Sequence, residues 1–187
     1  MPKSLKLKLE KIRNQKYKSK DFIIADAKDG DLAMGITTPG PLRDNQGKII
    51  QGFKKLKDYK KAMEVMTKSN LVDIMLMSAS VGESLVEKKI FKSSPVTPAI
   101  RMNDTSDIWL MRNSNYRSTN PRPFRSARID RVSKLVNLGL FSVTFSKNVD
   151  FDLAMLNSYR NFRMESLKYK FSHFLEVFNP PIDIGMN

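Results

Sequence analysis

Five short apolar runs rich in β-forming residues recur along this chain of 187 residues. Each run is followed by polar or turn-forming residues, which is typical of a strand that ends at a loop. The pattern predicts strands at residues 22–26, 72–78, 99–102, 140–145 and 173–178.

Between these runs the apolar positions recur with the period of a helix. Three apolar helix faces are predicted, at Phe53, Leu56, Tyr59, Met63 and Met66, at Ile129, Val132 and Leu135, and at Ala154, Met155, Tyr159 and Phe162. Gly139 is expected to end the second helix in a left-handed conformation, and Asp150 to cap the third. Shorter helices are expected near residues 83–89 and in the basic segment 1–20. We interpret the lysines of segments 3–20 and 54–68 as solvated helix faces.

The repeated order of strand, helix and strand favours an α/β fold, because a long crossover returns each strand in the same direction. Five units in 187 residues average roughly 37 residues each, so a complete (β/α)8 TIM barrel would need about 300. We therefore predict a single domain, 1–187, made of the five N-terminal units of such a barrel. A five-stranded open flavodoxin-like sheet is the alternative, and it would make the chain complete.

The composition limits the catalytic groups, metal ligands and partners that the chain can have. The chain has no cysteine and one histidine, His173, so thiolate nucleophiles and multi-histidine metal sites are excluded. There is no secretory signal and no apolar run of about eighteen residues, so we expect a cytoplasmic protein with no membrane partner. The formal net charge of +14 favours phosphate-bearing ligands, on small metabolites or on nucleic acid.

Polar residues follow the predicted strands, and in parallel α/β folds ligands bind at the carboxyl ends of strands. Asp26 and Glu176 are predicted to converge there as catalytic carboxylates that transfer protons or hold Mg²⁺. The alternative is that they form structural ion pairs with Lys28 or Arg101. Substrate-binding side chains are predicted at Ser78, Arg101, Asn103, Asp104 and Thr144.

Lys28 is a third catalytic candidate, because a desolvated lysine can form a Schiff base. The neighbouring Asp26, Asp29 and Asp31 would keep it charged, which favours a positioning or phosphate-binding role, and a surface lysine is an equal alternative. His173 lies at the start of its strand, where a structural role is expected.

The segment 112–128 is an arginine-rich loop that contains two aromatic residues, Tyr116 and Phe124. Arginine forks suit phosphate and aromatic rings can stack on bases, so the chain could alternatively be a basic RNA-binding module. A solvated loop that closes over an enzyme site is the simpler interpretation.

Four segments carry a family resemblance: DFIIADAKDGD (21–31), VDIMLMSAS (72–80), SPVTPAIRMNDT (94–105) and FLEVF (174–178). They resemble an aldolase-type barrel family akin to class I sugar-phosphate aldolases. The resemblance implies a carbon–carbon lyase that acts on a small phosphorylated carbonyl compound through a Schiff base. We expect no cofactor, with Mg²⁺ as the alternative.

In that family the Schiff-base lysine lies on the sixth strand, which would be beyond this chain. Asp26 would match the acid of the first strand, and Glu176 would replace a tyrosine of the fifth. We expect a fragment that is inactive alone, and one that forms homo-oligomers because the outer edges of its first and fifth strands are unpaired.

Overall fold

The computed structural model describes residues 1–103, 127–146 and 148–178, and at Ala33 the backbone alone. Asp104, the arginine-rich loop apart from Ala127 and Arg128, and residues 179–187 lie outside the described residues. Predictions made for them stay predictions.

Helices and strands alternate through the described chain. The helices are α1 (Ser4–Arg13), α2 (Asp31–Met34), α3 (Leu56–Ser69), α4 (Ala79–Glu87), α5 (Ile129–Val132) and α6 (Val149–Lys168), with a 3₁₀ turn at Gly35–Thr37. The strands are β1 (Ala25–Lys28), β2 (Pro41–Arg43), β3 (Ile49–Phe53), β4 (Ile74–Met77), β5 (Thr97–Arg101), β6 (Leu138–Thr144) and β7 (Ser172–Phe178).

Five of these strands form one parallel sheet in the order β1-β4-β5-β6-β7. They are the five predicted strands, and they lie side by side in the order in which they occur in the sequence. The α/β class and the strand order are therefore confirmed. The order differs from the 2-1-3-4-5 order of a flavodoxin-like sheet, while an open five-stranded sheet agrees with the described residues.

The chain forms two compact units, which we describe separately. The first comprises Met1–Asp31 and Gly35–Ala99, and the second comprises Leu32–Met34 and the described part of Ile100–Asn187. The boundary falls within β5.

In the first unit, α1 is held to its neighbours by Lys3, the residue before its first turn, and by Lys8. Lys3 Nζ donates hydrogen bonds to the carbonyl oxygens of Phe91, Ser94 and Val96 at 2.7, 2.9 and 2.9 Å. Lys8 Nζ lies 2.7 Å from Asp73 Oδ2 and 2.8 Å from the Phe22 carbonyl. The helix in segment 1–20 is confirmed, and none of its residues is buried, which agrees with a solvated face. Lys3 and Lys8 in addition hold acceptors elsewhere in the unit.

The predicted helix begins too early, before the first residue of α3. Phe53 was predicted on its apolar face, but it is the last residue of β3, which pairs with β2 as an antiparallel hairpin. The hairpin was not predicted, because its strands are short and largely exposed and lack a buried alternation. Met63 is fully buried, as predicted.

In the second unit, the predicted helix end at Gly139 is wrong. Gly139 lies inside β6, where all seven residues are buried, and pairs with Ile100 of β5 and His173 of β7. Glycine is needed for space, because an added Cβ would lie 2.6 Å from Met102 Cγ and 2.7 Å from the Phe171 ring. The cap of α6 lies two residues before the predicted one, since Asn148, not Asp150, accepts the hydrogen bond from Phe151 N.

The outer side of β6 packs against α6 through aromatic rings. The Phe141 ring centroid lies 5.1 Å from Tyr159 and 4.9 Å from Phe162, two residues of the predicted face. His173 contacts the same two rings and lies 3.2 Å from the Tyr159 hydroxyl. These contacts are those of a packing side chain.

The longest described helix is α6, with 20 residues. Within residues 1–103, 127–146 and 148–178, no helix has both the length and the apolar character needed to cross a membrane.

Candidate functional site

The first unit places an ion pair at the carboxyl end of β1. Asp26 and Lys28 are two residues apart on the strand and therefore share a face. Lys28 Nζ donates to Asp26 Oδ1 at 2.8 Å. This is the structural alternative that the sequence raised for Asp26. An ammonium group held by a carboxylate is a poor nucleophile, so the contact favours a positioning role for Lys28 over a Schiff base.

The other carboxylate oxygen of Asp26, Oδ2, has a different hydrogen-bonding environment. Asp26 Oδ2 is buried and has no hydrogen-bond partner among the described atoms. A buried acceptor without a donor is costly, at about 1–3 kcal/mol. It can therefore accept a proton or a hydrogen bond from a bound molecule.

A second carboxylate, Asp31, lies at the start of α2 and contacts the end of β4. Ser78 Oγ donates to Asp31 Oδ2 at 2.6 Å and accepts from Val81 N at 3.4 Å as the cap of α4. Ser78 is fully buried, so the structure gives this predicted substrate-binding residue a supporting contact to Asp31. Sequence reasoning did not single out Asp31, although it ends the same acidic run as Asp26.

Burial shifts the pKa values of Asp31 and Tyr59. Desolvation raises the pKa of the Asp31 carboxyl above its usual value, against the lowering effect of the Ser78 hydrogen bond. Burial, together with the negative charges of Asp31 and Asp29, raises the pKa of Tyr59 to about 12. The backbone of Gly30 lowers the Tyr59 pKa, but this effect is smaller than that of burial. A raised carboxyl pKa at a strand end suits proton transfer.

In the second unit, three adjacent strands bring together Arg101, Ser142 and Glu176. Arg101 Nη1 donates to Ser142 Oγ, and Ser142 Oγ donates to Glu176 Oε2 at 2.8 Å. The guanidinium and the carboxylate lie 3.6 Å apart. Ser142 is fully buried, whereas the Glu176 side chain is 38% exposed, so the chain of hydrogen bonds runs from the interior to a carboxylate that solvent can reach.

The side-chain amide of Asn103 holds the backbone of Ser142 in place. Asn103 Nδ2 donates to the Ser142 carbonyl and Ser142 N donates to Asn103 Oδ1, both at 2.8 Å. Asn103 is fully buried, and these two hydrogen bonds make its amide part of the cluster; its role in substrate binding stays a prediction. Thr144, two residues along β6, is also buried, and its hydroxyl has no hydrogen-bond partner among the described atoms.

Ser142 was missing from the predicted site residues. The signal that could have found it is strand parity, because Ser142 shares a face with Thr144. The register of β6 on β7, in which Ser142 pairs with Glu176, could not be read from the sequence.

The predicted site residues thus fall into two groups. Asp26, Lys28 and Ser78 lie in the first unit, and Arg101, Asn103, Thr144 and Glu176 lie in the second. The predicted convergence of Asp26 and Glu176 stays a prediction. Asp104 lies outside the described residues.

Mg²⁺ also stays a prediction. In the part of the chain that the structure describes, no three His, Cys, Asp or Glu side chains are grouped so as to hold a metal ion. A carboxylate pair completed by a ligand's own oxygens would need fewer protein groups.

No protein-family model matches this sequence, and a search of curated proteins finds no match.

Proposed function

We propose that this chain contributes to an aldolase-like carbon–carbon lyase that acts on a small phosphorylated carbonyl compound. The observation that carries the proposal is the hydrogen-bonded chain of Arg101, Ser142 and Glu176 at the carboxyl ends of three adjacent parallel strands. Ligands of parallel α/β folds bind at this end of the strands.

Glu176 is the proposed base. Cleavage of a carbon–carbon bond next to a hydroxyl group needs an acceptor for the hydroxyl proton. Glu176 is partly exposed, so a substrate can reach it, and the Ser142 hydroxyl fixes one carboxylate oxygen at 2.8 Å. Arg101 is a positioning residue, because its guanidinium orients Ser142 and lies against the carboxylate.

Asp26 is proposed as a second proton-transfer group, with its unpaired Oδ2 as the reactive atom. The Schiff-base lysine would come from outside this chain, because Lys28 is engaged with Asp26. The formal net charge of +14 supports an anionic substrate, which such a surface attracts.

Binding of dihydroxyacetone phosphate, followed by two-dimensional NMR of the ¹⁵N-labelled full chain, tests the proposal. We expect amide shifts at Ser142 and Glu176, and smaller shifts with unphosphorylated dihydroxyacetone. Arg101→Gln should weaken binding by about ten- to a hundredfold, because it removes the guanidinium that positions Ser142 and Glu176, and a hydrogen bond to a charged group contributes about 1.5–3 kcal/mol. Arg131→Gln, at an exposed arginine of α5, is the matched control.

Absence of shifts at the strand ends with either compound would count against the enzyme. The RNA-binding alternative, which the net charge of +14 also favours, predicts a different result. Filter binding to single-stranded RNA would then show tight binding with a steep salt dependence, because phosphate contacts release counterions.

A further inference from the structure

A groove of about 530 Å³ lies between α6 and β7 in the second unit. It is separate from the polar cluster, because His173, which lines it, has the opposite strand parity from Glu176. The volume falls within the range of small-molecule sites, roughly 300–1,000 Å³. The lining side chains that matter here are Arg160, Arg163, Met164, Leu167, Phe171 and His173.

The described lining of the groove has two arginines and no carboxylate. Arg160 and Arg163 are three residues apart on α6 and so share a face. None of the ion pairs between described residues uses either arginine. The Arg163 guanidinium lies 5.8 Å over the Tyr159 ring, and a stacked guanidinium presents its N–H donors along its edge.

The rest of the lining is apolar. Met164 and Leu167 occupy the same side of α6 and are 57% and 73% exposed, so they add apolar surface beside the two arginines. Phe171, which is nearly buried, adds an aromatic surface. A ligand would therefore gain both from pairing an acid group with the guanidinium groups and from covering apolar surface.

We propose that this groove binds a small amphiphilic anion, whose acid group pairs with Arg160 and Arg163 and whose apolar part covers Met164, Leu167 and Phe171. The site is independent of the proposed lyase function, since it lies on the other face of the sheet. Two guanidinium groups suit a phosphate monoester or a carboxylate, and the apolar lining excludes a bare inorganic ion as the preferred ligand.

His173 provides a direct readout, because it is the only histidine in the chain. Burial lowers the pKa of His173, and the positive charge of Arg163 lowers it further. A bound anion offsets that charge, so it should raise the pKa of His173. The imidazole Cε1–H signal in NMR gives both the pKa and a binding curve for the full-length chain.

The probes are octyl phosphate below its micelle concentration, octyl glucoside and inorganic phosphate. We expect octyl phosphate to shift the His173 signal saturably and to raise its pKa. Octyl glucoside, which lacks the charge, and inorganic phosphate, which lacks the apolar part, should each bind at least tenfold more weakly. The doubly substituted Arg160→Gln, Arg163→Gln chain should lose binding at least tenfold, and Arg131→Gln should retain it.

Three results would overturn the proposal: no shift of the His173 signal with octyl phosphate, an equal response to octyl glucoside, or unchanged octyl phosphate affinity in the double variant. The wild-type comparison of the three probes decides the matter even if the double variant fails to fold. None of these outcomes bears on Glu176, so this proposal and the lyase proposal fail separately.

Discussion

Replacement of Gly139 by alanine tests the packing of β6 most directly. The backbone there is ordinary strand, so alanine itself is allowed, and only the space is lacking. Its Cβ would lie 2.6 Å from Met102 Cγ and 2.7 and 3.0 Å from two atoms of the Phe171 ring. Carbon atoms in contact normally lie about 3.5–4.0 Å apart, so one of these neighbours must move by about 1 Å.

The expected cost follows from these distances. Adding a methyl group to a well-packed core typically destabilises by about 1–3 kcal/mol. The loss of glycine's freedom in the unfolded chain returns about 0.4–1 kcal/mol. We therefore expect a net loss of about 1–2 kcal/mol in the free energy of unfolding. With a urea m-value of about 2 kcal/mol/M, the midpoint should fall by about 0.5–1 M.

Urea unfolding followed by circular dichroism measures this change. Gly30→Ala is the matched control, because the nearest neighbour of the added Cβ, Thr38 Cγ2, would be 3.5 Å away. Its free energy of unfolding should stay within about 0.5 kcal/mol of the wild-type value. Met102 is flexible, so the rigid Phe171 ring should carry most of the penalty. The cost of Gly139→Ala should therefore shrink in a Phe171→Leu background.

An unchanged midpoint and m-value for Gly139→Ala would refute the close packing of β5, β6 and the start of β7. If the variant is destabilised equally in both backgrounds, the packing is tight but Phe171 is not its cause. Either result can be read from four unfolding curves.

Three further outcomes are expected. Burial raises the pKa of Asp73, but hydrogen bonds from Lys8 and Ile24 N outweigh this and hold it below its usual value. The stabilisation by the ionised Asp73 is therefore present above about pH 4 and is lost as the pH falls. Asp73→Asn should lower the free energy of unfolding by about 1.5–3 kcal/mol at pH 7, measured by urea unfolding. Burial raises the pKa of Asp31, so its ionised form destabilises the folded state, the opposite of Asp73. Asp31→Asn should therefore unfold at a higher urea concentration than the wild type at pH 7, and this gain should vanish below about pH 4, where the wild-type carboxyl is protonated in both states. A gain that persists below about pH 4 would contradict the assignment. Borohydride reduction with dihydroxyacetone phosphate should leave Lys28 unmodified in peptide mass spectrometry, because its ammonium is paired with Asp26; a trapped adduct would make Lys28 the nucleophile.

Sequence alone was enough to locate all five strands of the main sheet and to predict their order. The reason is local: each strand is a short apolar run between polar residues, and long crossovers make neighbouring runs adjacent and parallel. The same periodicity located Met155 and Phe162 as the buried face of α6. Strand-end polar residues such as Arg101 and Glu176 were likewise visible as candidates.

Contacts between segments far apart in the chain were decided by tertiary structure. Ser142 meets Glu176 because of the register of β6 on β7, and Asp31 meets Ser78 across 47 positions of the sequence. Periodicity gives the face of a residue but not its partner in the neighbouring strand.

At Gly139 a local sequence rule gave a wrong prediction, because residues distant in the sequence determine its environment. Glycine before an apolar run is a common helix end, and that local rule predicted a left-handed residue. In the structure, Met102 and Phe171 occupy the space that a side chain would need, and neither is near Gly139 in sequence. Local patterns determine which elements form, because they reflect short-range propensity and burial. Packing between distant residues determines which side chains meet, and that is where the candidate chemistry of this protein arises.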